Sequence, residues 1–186
     1  MNDDLTDGRL VPTAYSPITT AFAFAAPNEL ERFYAGFMLN KPYCLDELIQ
    51  TVWQTPGYEQ WSAGFSRESL DALGEWFAAR IRNVETVKDA AVGELSDEQK
   101  ALAVAVGMYY GEVAVRNNPQ LGWHQLKGNK KQADYGQPVI CDSGKLPTNP
   151  VRVAHAFASG ITEGSKTAGQ LRQTYDYWMQ LIKSVQ

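Results

Sequence analysis

The sequence contains few of the residues that commonly build metal-binding or reactive sites. Its 186 residues include two cysteines, Cys44 and Cys141, and two histidines, His124 and His155. The cysteines lack C-x-x-C spacing and the histidines lack H-E-x-x-H spacing, so neither a metal site nor a disulfide framework is indicated. No Walker A, G-x-G-x-x-G or G-x-S-x-G motif occurs. We therefore predict no metal, no cofactor and reduced thiols.

Long hydrophobic runs are also missing. The first residues, MNDDLTDGRLVPTAYSP, are acidic where a secretory signal carries basic residues, and the apolar run that follows, ITTAFAFAAP, is too short to cross a bilayer. We expect a soluble, cytoplasmic protein without a membrane partner.

Charge is unevenly distributed along the chain. Residues 1–100 contain 16 acidic and 8 basic residues, whereas residues 101–186 contain 5 and 9, and the net charge is -4. Hydrophobic residues make up 44% of the chain, with five Trp, nine Tyr and seven Phe, which is typical of a folded domain. An acidic first half can attract a basic partner.

The length fits one globular domain. Residues 1–26 contain prolines and small residues without helical periodicity, which predicts an irregular N-terminal arm that packs through Phe22 and Phe24. Residues 27–186 are predicted to form the single globular domain.

Helical periodicity recurs along that domain. Asn28 is a candidate N-cap for a first helix that ends near Pro42, and a short second helix follows over residues 45–52. An amphipathic helix begins near Ser66, and the last helix begins near Thr167 with an apolar stripe. The residues of that last stripe are Leu171, Tyr175, Trp178, Leu181 and Ile182.

Residues 97–116 have the pattern of a central helix. Ser96 and Gln99 have the spacing of a capping box, which predicts a helix start near residue 97. No charged residue occurs over residues 101–110, and Asn117-Asn118-Pro119 ends the pattern. Gly107 and Gly111 are predicted to allow close packing of another backbone against this helix.

The pattern then changes to that of strands. Residues 121–141 predict a small antiparallel hairpin or sheet, and Asn149 before Pro150 predicts a helix start, with the helix ending near Gly160. The predicted fold is α+β and mainly helical. Five or six helices surround the apolar helix at 97–116, with one small antiparallel β-hairpin or sheet near 121–141.

Glu112 is the strongest candidate for chemistry, because it comes shortly after the ten uncharged residues 101–110, where burial could tune its protonation. Arg116, four residues later, instead predicts an ion pair on the helix surface, and we favour this structural role. An enzyme of an unrecognised class, with a pocket near Glu112, His124 and Cys141, is the alternative; His155 is a further candidate base. It requires at least two of these side chains within hydrogen-bond reach in a concave site.

Three segments resemble a known class of proteins. The runs VAVGMYYGEVAVRNNPQLGW, YGQPVI and LPTNPVRVAHAF, within residues 97–160, resemble small uncharacterised bacterial cytoplasmic domains, some of which are immunity proteins associated with toxins. The resemblance implies an inhibitor that neutralises a cognate toxin, and it assigns no functional residue.

The leading hypothesis is therefore a protein-binding domain, of the immunity or antitoxin type, whose partner is a basic toxin domain. Lys127, Lys130 and Lys131 form a basic loop, but the sequence pI of about 5.2 argues against nucleic acid as the partner. A second alternative is a structural domain that dimerises through helix 97–116. The predicted partner-binding residues are Asp71, Glu75, Trp123, His124 and Tyr135.

Overall fold

A computed structural model of the chain describes residues 15–84 and 91–184. Within these residues the structure has six helices and three strands, which confirms the α+β, mainly helical fold. In chain order the elements are α1 (Ala21–Phe24), α2 (Pro27–Trp53), α3 (Ser69–Asn83), α4 (Asp97–Asn117), β1 (Gly122–Gln125), β2 (Pro138–Asp142), β3 (Lys145–Thr148), α5 (Pro150–Glu163) and α6 (Gln170–Ser184). None of the helices found in these two stretches has both the length and the apolar character needed to cross a membrane.

Helix α4 lies at the centre of the core, as predicted. The Ser96 hydroxyl accepts a hydrogen bond from the Gln99 amide, and the Gln99 side chain accepts one from the Ser96 amide, so the capping box is present. Every residue from 106 to 114 is buried. A Cβ at Gly107 would lie 2.6 Å from the Cα of Val151, which confirms that this glycine allows α5 to pack closely.

Helix α2 corrects two predictions. It runs without interruption through Pro42, and it begins at Pro27 with Ala26 as N-cap instead of Asn28. Pro42 lies on the exposed side, while the buried stripe continues across it from Phe37 to Leu45. Burial of this continuous stripe compensates for the cost of an interior proline, about 3 kcal/mol.

The three strands form one antiparallel sheet in the order β1-β2-β3. The first two are the predicted pair, with Trp123 opposite Ile140. The third strand was not predicted. Its turn consists of Ser143 and Gly144, both with positive φ (49° and 83°), which is the backbone that a two-residue hairpin loop requires.

The N-terminal segment is partly as predicted. Phe22 is buried and packs edge-on against Phe33, whereas Phe24 is 87% exposed, so the prediction for Phe24 is wrong. The two side chains lie on different sides of the single turn of α1, and only one side faces the core. Residues 1–14 of the predicted arm lie outside the described residues.

Two helix boundaries and one residue of an apolar stripe differ from prediction. Helix α3 starts at Ser69, whose amide donates to the Ser66 hydroxyl at 3.2 Å. Helix α5 has the predicted Asn149 cap but continues past Gly160 to Glu163, because the left-handed residue that ends it is Gly164. In α6, the predicted stripe is buried except for Leu181, which is exposed.

Candidate functional site

Among the carboxylates of the described residues, Glu112 accepts hydrogen bonds from the largest number of different side chains. Its side chain accepts hydrogen bonds from the Lys41 ammonium on α2, from Trp123 Nε1 on β1 at 2.9 Å and from Arg116 Nε on its own helix at 3.0 Å. The residue is only 8% exposed. One buried carboxylate therefore joins α2, α4 and β1.

The cations around Glu112 also contact aromatic rings. Lys41 Nζ lies 5.1 Å from the centre of the Trp123 ring, and Arg116 Cζ lies 3.7 Å from the centre of the Phe65 ring. Both distances are within the range of cation–π attraction. We call these five residues, Lys41, Phe65, Glu112, Arg116 and Trp123, the Glu112 cluster.

The surroundings of Glu112 keep it ionised. Burial raises the pKa of its carboxyl group, but the hydrogen bonds from Lys41, Trp123 and Arg116 lower it by more, so the net pKa lies below its ordinary value. A general base that works near neutral pH needs a pKa near that pH and access to a substrate proton. Both of its oxygens are already occupied by donors of the protein.

The predicted Arg116 ion pair is thus present, with the Glu112 side chain buried and the Arg116 side chain 52% exposed. The sequence did not reveal Lys41 or Trp123 as partners, because they lie 71 and 11 residues away in the chain. Helical spacing identifies only neighbours three or four residues apart.

The convergence that the enzyme alternative requires is not found. Cys141 pairs with Gly122 and His124 with Val139, so both lie on the sheet face opposite Trp123 and Ile140. Trp123 is the strand residue that contacts Glu112. Across residues 15–84 and 91–184, no hydrogen bond joins any two of Glu112, His124 and Cys141.

His155 does not complete such a site either. It is buried on α5, where burial and the nearby Lys100 and Arg152 lower its pKa. No group of three or more His, Cys, Asp or Glu side chains in the described part of the chain is arranged to hold a metal ion.

The predicted partner-binding residues occupy several environments. Asp71 on α3 forms an ion pair with Arg172 of α6, and Glu75 is exposed one turn further along α3. Trp123 belongs to the Glu112 cluster, His124 is exposed on the other face of β1, and Tyr135 is half-buried against the core. No hydrogen bond or ion pair in the described ranges joins the two α3 carboxylates to the three residues of the sheet region.

A different surface combines exposed apolar side chains with exposed acids. Leu39 and Tyr43 are each 71% exposed and lie one turn apart on α2. Asp46 and Glu47 follow on the next turn and are exposed, and neither forms an ion pair with any described residue. We call Leu39, Tyr43, Asp46 and Glu47 the α2 face.

A groove lies beside the α2 face, between α2 and α4. The two helices run antiparallel, since Lys41 lies near Glu112 while later residues of α2 lie near the start of α4. The groove has a volume of about 260 Å³. Its lining residues are Cys44, Glu47, Leu48 and Thr51 of α2, Arg80 of α3, and Glu98, Ala101, Leu102, Val104 and Ala105 of α4.

The α2 face could have been recognised from helical spacing in the sequence if the helix had not been predicted to end at Pro42. Leu39 and Tyr43 are spaced four residues apart, and Asp46 continues the same side of a helix that runs through the proline. Treated as one helix, residues 27–53 have an inner stripe of large apolar residues and an outer stripe that also carries apolar residues.

Comparison of the chain with family models, with curated proteins and with solved structures gave no match.

Proposed function

We propose that the protein is a protein-binding domain that holds a basic protein partner through the α2 face. The observation that carries this proposal is the combination of two 71%-exposed apolar side chains, Leu39 and Tyr43, with the adjacent carboxylates of Asp46 and Glu47. Exposed apolar residues next to one another mark interaction surfaces more often than isolated ones do.

The two parts of the surface have different roles in binding. Tyr43 supplies a large contact area at a small cost in conformational entropy, which suits an anchor residue. The carboxylates of Asp46 and Glu47 attract positive charge and accelerate the encounter with a basic partner. The partner is therefore expected to present a basic rim around an apolar contact.

The specific form of this function is inhibition of a toxin. The resemblance to toxin-associated immunity proteins supplies the partner class, a basic toxin domain such as a nuclease. A nuclease must bind phosphates through basic residues. A complementary acidic surface could occupy that site and block the substrate.

Pairing with a second copy is less favourable through the α2 face. A symmetric contact would place Asp46 and Glu47 of both copies within one interface, where their like charges repel. Dimerisation through α4 loses its main support, because the apolar residues of that helix from 106 to 114 are buried within the fold.

The test uses the protein encoded by the gene next to this protein's own gene, as the candidate for the cognate toxin. Its binding is measured by calorimetry at low and at high salt. We expect association that weakens as salt is added. Tyr43→Lys and Glu47→Lys should each weaken it by about tenfold or more, while Glu75→Lys, an exposed acid on α3, should leave it nearly unchanged.

Two results would contradict the proposal. One is the absence of any association at low salt. The other is a large loss of binding affinity in Glu75→Lys with no loss in Glu47→Lys. That result would place the contact on the α3 surface, where the sequence predicted Asp71 and Glu75 as partner-binding residues. Light scattering on the free protein is expected to show a monomer.

A further inference from the structure

The groove between α2 and α4 has walls of two antiparallel helices and a largely apolar floor. Leu48, Leu102 and Ala105 contribute apolar side chains to its lining, and Ala101 lies exposed at one side. The α2 wall from Cys44 to Thr51 is about 10 Å long at about 1.5 Å per residue, or two helical turns.

The shape favours some occupants over others. The volume of about 260 Å³ is below the usual range for an enclosed small-molecule site, roughly 300–1,000 Å³. An added strand is excluded, because the backbone groups of the helical walls are already bonded within each helix. A helix that lays its apolar side along a groove needs neither a deep cavity nor free backbone groups.

The charges at the groove select a basic occupant. Glu47 stands on the α2 wall and Glu98 on the α4 wall, so a carboxylate is present on each side. Arg80 Nη2 lies 3.9 Å from Glu98 Oε1, which offsets part of the charge at that side. Glu47 has no ion-pair partner among residues 15–84 and 91–184.

We propose that this groove receives one amphipathic helix of the partner, with its apolar stripe on the groove floor and its lysine or arginine side chains against Glu47 and Glu98. This inference rests on the proposed function, since it names the element of the partner that is held. Two turns of contact accommodate apolar side chains at positions i, i+3 or i+4, and i+7 of the bound helix.

The experiment uses a synthetic helical peptide of roughly 15 residues with leucines at those spacings and lysines on the flanking positions. A second peptide has the same composition in scrambled order, so it keeps the charge and loses the apolar stripe. Binding to the full chain is measured by fluorescence anisotropy, and the groove is observed through the methyl signals of Ala101 and Ala105 in NMR spectra.

Ala101→Trp fills the groove from an exposed position without changing charge. Ala156→Trp, at an exposed position of α5, is the matched control. We expect the ordered peptide to bind the wild type and Ala156→Trp alike, to bind Ala101→Trp at least about tenfold more weakly, and to shift the signals of Ala101 and Ala105. The scrambled peptide should bind weakly to all three proteins.

Equal binding to Ala101→Trp and the wild type, or no binding of the ordered peptide, would overturn the helix-in-groove proposal. Concentration-dependent dimerisation that Ala101→Trp abolishes would identify a second copy as the occupant and would also overturn it. If the neighbouring gene product loses affinity in Tyr43→Lys but not in Ala101→Trp, the protein-binding function stands and only the groove inference fails. If the gene product does not bind the wild type, the proposed function itself fails.

Discussion

The Glu112 cluster and the α2 face place carboxylates beside apolar side chains in opposite ways. Glu112 is buried and accepts hydrogen bonds from three side chains. Asp46 and Glu47 are exposed and form no ion pair with a described residue. A carboxylate whose charge is balanced within the chain holds elements together, whereas one whose charge is left unbalanced at the surface is free to attract another molecule.

Both regions involve the same helix. Lys41 of α2 contributes to the cluster from one side, and Tyr43, two residues later, belongs to the exposed face. The difference between the Glu112 cluster and the α2 face therefore depends on which side of α2 a residue occupies and on which side chains it contacts there. Substitutions on the two sides test this difference.

The largest expected effect comes from removing the buried carboxylate. Glu112→Ala leaves the largely buried Lys41 ammonium unpaired and Trp123 without its acceptor, so we expect a loss of about 3–5 kcal/mol in the free energy of unfolding. Urea denaturation measures this loss. Glu47→Ala on the α2 face is the matched control and should change stability by less than about 0.5 kcal/mol. Similar losses of stability in Glu112→Ala and Glu47→Ala would contradict the distinction between the Glu112 cluster and the α2 face.

A smaller effect is expected when the tryptophan of the cluster is displaced. A Cβ at Gly111 would overlap with the Trp123 ring, so Gly111→Ala must move that ring away from its place beside Glu112. We expect a loss of about 1–3 kcal/mol. In a Glu112→Ala background the same change should cost less, because the hydrogen bond it disrupts is already absent. Strictly additive losses would show that the two sites are independent.

The dependence of stability on pH sharpens the contrast further. Because the pKa of Glu112 is lower in the folded chain than its ordinary value, its contribution to stability is complete above the ordinary pKa and is lost as the pH falls through the lowered one. Urea denaturation at a series of acidic pH values should therefore show a steeper loss in the wild type than in Glu112→Gln. If the free energy of unfolding fell equally with pH in the wild type and in Glu112→Gln, the lowered pKa of Glu112 would be contradicted.

The smallest effect on stability is expected at the α2 face. Asp46→Lys combined with Glu47→Lys should change the free energy of unfolding by no more than about 0.5 kcal/mol in either direction, since neither carboxylate has a described ion-pair partner. The same variant should strongly slow association with a basic partner at low salt. Thermal unfolding and stopped-flow association measure the two quantities. A large loss of stability would indicate that these acids support the fold.

Much of the fold could be predicted because local signals were strong. The Ser96–Gln99 capping box and the Asn149–Pro150 start depend on neighbouring residues, and both are present. Pro42 misled the prediction because its cost was outweighed by the continuous apolar stripe of α2, a tertiary effect. The strand after Ser143 was missed because its turn depends on positive φ values that Ser rarely adopts.

The candidate site was less predictable for a similar reason. The Arg116 ion pair follows from helical spacing, but Lys41 and Trp123 reach Glu112 only through the folded arrangement. The α2 face was hidden by the predicted break at Pro42, and nothing in the sequence indicated that Asp71 pairs with Arg172, 101 residues away. Pairings over such separations are set by packing and leave no local pattern.

The Lys41–Glu112 contact also has a consequence for the order of folding. Its two residues are 71 positions apart, so the contact can form only after a long loop has closed and its entropy has been lost. We expect the cluster to form after the folding transition state. Loss of the Lys41–Glu112 contact should then accelerate unfolding much more than it slows refolding. Glu112 thus determines how long the native molecule persists once it has formed.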